Sequence, residues 1–158
     1  MAKPVTRGRT YARVAAVQAL FQADQAGDQI DVVIDQFLRH RLNLSGDATL
    51  DEGHLPEADL ALFAQIVRAA ASSAAKLDGL IMEALPADWP LERLDPVLRS
   101  LLRAGAAELS VPNGPPSRVI INEYLDVAHS FFSGDEPKLV NGMLDRLAHV
   151  MREAEFSA

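Results

Sequence analysis

Residues 60–81 read LALFAQIVRAAASSAAKLDGLI, and their spacing decides the fold class. Leu60, Phe63, Ile66, Val67, Ala70, Ala74, Leu77, Leu80 and Ile81 recur at intervals of three and four, which lines them along one face of an α-helix. The pattern predicts one long helix of about six turns acting as a central packing element. Small residues from Ala69 to Ala75 would let a neighbouring helix approach closely.

The same period continues outward on both sides. Toward the N-terminus, residues 43–56 (NLSGDATLDEGHLP) lack periodicity and form an exposed connection. Before them, Asp28 or Asp31 can cap a helix whose Val33, Phe37 and Leu38 face the core and whose Arg39, His40 and Arg41 suit its C-terminal dipole. The first helix is expected from about Thr10 to Ala26, with Val14, Val17 and Phe21 on one stripe and Gly27 as its stop. Toward the C-terminus, Pro86 and Ala87-Asp88-Trp89-Pro90 break the pattern. They divide the chain into helical halves at 1–86 and 87–158, expected to pack as one domain.

Asp95-Pro96 resembles a cap with proline in the first turn, opening a helix through Leu109 with Leu98, Leu101 and Leu102 inward. Val111-Pro112-Asn113-Gly114-Pro115-Pro116 stops it, and Ser117 can cap the next. There Ile121, Leu125, Ala128 and Phe132 form one stripe and Ile120, Tyr124, Val127 and Phe131 its neighbour, so two sides should be buried. Gly134-Asp135-Glu136-Pro137 turns the chain into a final helix carrying Val140, Met143, Leu144, Leu147 and Met151. Alternating strand patterns are nearly absent, so the fold class is all-α.

With 158 residues, 49% hydrophobic and 23% charged, the chain is a folded globular protein. The absence of cysteine removes disulfides, thiolate metal sites and thiol nucleophiles, and fits a reducing compartment. No apolar run approaches the roughly 20 residues of a membrane helix, and no secretory stretch opens the chain; the expectation is a cytoplasmic protein with no membrane partner.

The net charge of −7 is unevenly spread. Residues 1–23 carry Lys3, Arg7, Arg9 and Arg13 with no acid, giving +4; the remaining 11 basic and 22 acidic residues give −11. A polyanion would meet a basic arm on an acidic body. Arg9 and Arg13, one helical turn apart, would project from one side, each able to reach a phosphate or a base edge. Tyr11 could stack on an unpaired base or rim the core, and Phe131 has the same two readings, with the core favoured for both.

Enzymatic chemistry has no support. His40, His54, His129 and His149 lack metal-ligand spacing, no serine sits in a nucleophile elbow, and no glycine pattern marks a phosphate loop. The carboxylates read as solvated helix faces, so no cofactor and no metal is expected.

The order of segments resembles the NusB family of bacterial transcription antitermination proteins. YARVAAVQALFQAD looks like the family's first helix, where arginines precede a VQALY-like run. KLDGLI and LDPVLRSLLRAGAAEL are similar to family blocks, and RVIINEYLDVAHSFFSGDEPKLVNGMLDRL is similar to INEAIELAKSF followed by KFVNGVLD. The resemblance spans nearly the whole chain. It implies two packed halves, each like a three-helix bundle, and no catalysis. It also implies binding of the single-stranded boxA element of ribosomal-operon transcripts, in partnership with the small-subunit ribosomal protein NusE, on the RNA polymerase elongation complex.

Carried over by position, Arg9 and Arg13 fall in the family's arginine-rich motif and Arg7 just outside it. Thr10 and Tyr11 stand where an arginine-richer relative has basic residues, so binding would be weaker or lean more on Tyr11. Phe131, Asp135 and Lys138 fall on a region that helps form the RNA surface, where Leu139 replaces an aromatic. Asn141 would satisfy a nearby backbone group, and Gly142 would permit close helix packing.

Two other readings compete. In one, the arm is a solubilising tail and the body is a protein-interaction module, as in relatives that form homodimers covering their basic surface. In the other, the chain is the RNA-binding domain of an RNA methyltransferase. The second is disfavoured because the sequence ends at Ala158 without room for a methyl-donor domain.

Overall fold

Helix α1 (Pro4–Ala26) opens on proline, which suits a first turn because its missing N–H has no intrahelical acceptor there. It therefore starts ahead of the Thr10 expected from the apolar pattern. The computed structural model describes residues 4–40 and 59–157, with side chains from Gly8 onward. The connection at 43–56 lies outside the described residues. By contacts the chain divides into two compact units, Met1–Arg68 and Ala69–Ala158; the turn and proline signals had pointed to Pro86.

In the first unit, α1 packs against α2 (Ile30–His40). Gly27, at φ +71°, donates its N–H to the Ala23 carbonyl and ends α1 in the left-handed conformation that glycine adopts without steric cost. The buried side of α1 is mostly alanine: Ala12, Ala15, Ala16 and Ala19 with Val17 and Leu20. Of the expected stripe only Val17 is fully buried, while Val14 and Phe21 are half-buried. Helix α2 buries Val33, Ile34 and Phe37, with Leu38 half-buried.

Helix α3 (Leu60–Ser72) is capped by Asp59, whose carboxylate accepts from the Leu62 N–H at 2.9 Å. The Asp59 N–H donates to the Gly8 carbonyl at 2.9 Å, tying the start of α3 to the arm region of α1. Phe37 and Phe63 stack with ring centroids 5.7 Å apart.

The long helix expected over 60–81 is two helices. It breaks at Ser73, and α4 (Ala74–Ala84) continues after a bend of 82°. The Ser72 hydroxyl donates to the Ala69 carbonyl at 3.3 Å, and Ser73 leaves helical geometry at φ −117°, ψ 24°. A serine pair competes with the backbone ladder in this way and permits a sharp kink. The apolar period survives the break, so Leu77 and Ile81 are still buried.

In the second unit α4 packs against α5 (Pro96–Ser110) and α7 (Glu136–Met151), which also pack on each other and on α6 (Ser117–Phe131). Asp78 of α4 and Arg103 of α5 form a two-pronged ion pair at 2.8 and 2.9 Å. Asp95 caps α5 as its sequence implies, accepting from the Val97 N–H at 2.8 Å with Pro96 in the first turn. At Gly105 an added Cβ would stand 2.8 Å from Leu144 Cδ2, so glycine lets α7 close on α5. Helix α6 buries Ile120, Ile121, Tyr124, Val127 and Ala128, while Leu125, Phe131 and Phe132 are half-buried. Buried Tyr124 donates its hydroxyl proton to buried Glu108 at 3.0 Å. Among the described residues no single helix is long and apolar enough to cross a membrane.

Candidate nucleic-acid interface

The arm residues share one helix but not one environment. Arg9 is exposed, Tyr11 is half-buried, and Arg13 is only 1% exposed. The i, i+4 spacing does put both arginines on one side of α1, yet the cover over that side ends between them. Arg13 is thus a group inside the fold, where a guanidinium persists only when its charge is compensated locally. It is not presented to a phosphate as its spacing had suggested. The side chain of Arg7 lies outside the described residues, though its backbone is in α1.

The C-terminal candidates fall around the turn into α7. Phe131 is half-buried, its ring tilted against Phe132 with centroids 6.3 Å apart. Asp135 precedes α7, exposed and without a side-chain capping bond. Asp135 and Lys138 line an open groove of about 400 Å³ with Trp89, Leu139, Gly142 and Arg146. Lys138 is exposed and makes no ion pair among the described residues. Arg146 donates to the Ala84 carbonyl at 2.7 Å, capping the end of α4.

Trp89 and Arg146 were missed in the sequence, where Trp89 registered only as part of a pattern break. The available signal was an aromatic residue held between Pro86 and Pro90. Two other expectations change. Nothing stands within 4 Å of a Cβ built at Gly142, so this glycine opens the groove and is not there for close helix packing. The Asn141 side chain is exposed and makes no hydrogen bond among the described residues, so it satisfies no backbone group there. Leu139, at the position of the absent aromatic, is buried at the groove wall.

A third polar cluster closes the far end of the second unit. Arg152 donates Nε–H to the Leu109 carbonyl at 2.8 Å and Nη1–H to the Pro115 carbonyl at 2.5 Å, capping α5. Glu155 accepts from the Ser117 hydroxyl at 2.6 Å and the Ser117 N–H at 3.1 Å, capping α6. Ser117 is therefore the first helical residue and is capped by a distant carboxylate; it does not cap the helix itself. Its two hydrogen bonds, aided by Arg152, hold the Glu155 carboxyl below its usual range. Among the described residues no three His, Cys, Asp or Glu side chains gather as metal ligands would.

Comparison with known proteins agrees along the chain. The NusB family model matches residues 10–149. The transcription antitermination protein NusB of Granulibacter bethesdensis is 56% identical over 153 residues, covering 96% of this chain and 94% of that protein. Among solved structures, NusB of T. maritima aligns with a TM-score of 0.73 at 27% identity, covering 94% and 96% of the two chains. A structure of the antitermination factors NusB and NusE with double-stranded RNA also aligns at 0.73, with 22% identity and 91% and 98% coverage, a likeness of fold.

Proposed function

The chain belongs to the NusB family, and from that premise we propose that it is a transcription antitermination factor binding boxA-like single-stranded RNA of ribosomal-operon transcripts together with NusE. The relatives it matches over most of its length are transcription antitermination proteins and not enzymes. The 56% identity over nearly the full length of a NusB carries the reading. The exposed Arg9, in the second turn of α1 within a basic arm on an otherwise acidic chain, supports it electrostatically.

In this reading Arg9, Arg7 and Tyr11 meet the RNA, Arg13 holds the helix that presents them, and Phe131, Asp135 and Lys138 form a second contact region. The complex acts in the cytoplasm on RNA polymerase. With Arg13 enclosed, the three other basic residues of the arm neutralise only a few phosphates, while the −11 of the remaining chain repels RNA. The protein alone is then a marginal binder, and NusE raises its affinity by a coupling of about 1–3 kcal/mol.

Calorimetry tests this directly. NusE is titrated into the protein with and without saturating boxA-like RNA, with a duplex of the same sequence as the comparison. Tighter NusE binding with the single strand is the expected result, and reciprocity requires an equal gain in RNA affinity. Identical dissociation constants with and without RNA would remove the cooperative assembly.

A further inference from the structure

Resting on the RNA-binding reading, we infer that the groove between the Pro86–Pro90 turn and α7 receives one nucleotide of the single strand, its base stacked on Trp89 and its phosphate held by Lys138. Trp89 is the chain's only tryptophan, and it is half-buried at the groove. Its backbone N–H closes a turn onto the Pro86 carbonyl at 3.0 Å, with Pro90 following, so the ring stands on a segment with little conformational freedom to lose. The indole N–H makes no hydrogen bond among the described residues and can donate to a ligand.

Charge and space fit the same ligand. Lys138 and Arg146 against Asp135 leave the groove at +1 on a chain of −7. Arg146 is partly committed to the Ala84 carbonyl, which leaves Lys138 as the mobile cation. A phosphate suits that ammonium, and the Asp135 carboxylate can accept from a ribose hydroxyl or an exocyclic amine. Gly142 keeps the floor clear, and about 400 Å³ lies in the range that small ligands occupy. A protein segment would find a net positive, open groove with one ring, a poorer match than a nucleotide.

Because Trp89 is the only indole, its fluorescence reports on the groove without a label. Unlabelled boxA-like RNA added to the full chain should quench it saturably, with the midpoint seen by anisotropy of a fluorescein-labelled copy. Trp89→Ala should weaken RNA binding at least about fivefold, as loss of a stacking ring does, and Trp89→Phe should lose less. Lys138→Gln and the groove-filling Gly142→Gln, both at positions free of core contacts, should shift the quenching midpoint severalfold to higher RNA. RNA binding by anisotropy with no quenching, and with unchanged affinity in Lys138→Gln and Gly142→Gln, would overturn the groove assignment and leave the RNA reading standing. No RNA binding in either assay would overturn both. Quenching by NusE but not by RNA would make the groove a protein site and overturn the assignment.

Discussion

In α1, Arg9 and Arg13 stand one turn apart and the fold encloses the second; in α7, Lys138 and Arg146 stand about two turns apart and both stay at the surface. The spacing of cations along a helix fixes which side they share. It does not fix how far along that side the covering elements extend. The cover over α1 stops within a turn, so one arginine is enclosed and its neighbour stays exposed. Along α7 the apolar stripe of Val140, Met143, Leu144 and Leu147 takes the buried side, and the cations point away from it.

The largest effects are expected in the cores of the two units. Phe63→Ala removes a fully buried ring stacked on Phe37 and should cost about 3–5 kcal/mol, with Leu77→Ala costing about 2–5 in the second unit. Denaturant melts read both, and full stability in either variant would show that the stripe is surface.

A smaller effect separates the arginines. Arg13→Ala should destabilise the fold by about 1–3 kcal/mol, whereas Arg9→Ala should stay within about 0.5. Arg9→Ala should instead weaken RNA binding by about 1.5–3 kcal/mol. Equal stability losses from the two substitutions would break the distinction drawn between them.

The smallest expected effect lies at Glu155. A carboxyl held below its ordinary value of 4.5 contributes stability above that pH and loses it as pH falls through the folded value. Wild type should therefore melt above Glu155→Gln at neutral pH, with the gap narrowing below about pH 4.5. A gap independent of pH would assign the effect to packing and not to the charge.

Much of the fold was legible because its signals are local. Gly27 ends a helix, Asp95-Pro96 begins one, and the stripes of α5, α6 and α7 are buried over most of their length, with Leu125, Phe131, Phe132 and Met151 only half-buried. What escaped depends on groups far apart in sequence or on geometry that periodicity does not register. The bend at Ser73 preserves the apolar spacing and so leaves no gap in it. The burial of Arg13 depends on where other elements end, and the capping of Ser117 comes from Glu155. Trp89 meets Lys138 only after the chain has folded back through α5 and α6.

The clamp of Arg152 and Glu155 also has a consequence for the order of synthesis. Both ends of the α5–α6 connection are finished by side chains 37–44 residues later in the sequence. As the chain leaves the ribosome, α5 and α6 emerge with their facing ends unsatisfied, open to water or to a helper protein. That corner gains its last hydrogen bonds only once α7 has been made, so the nascent second unit is completed from its final residues backward.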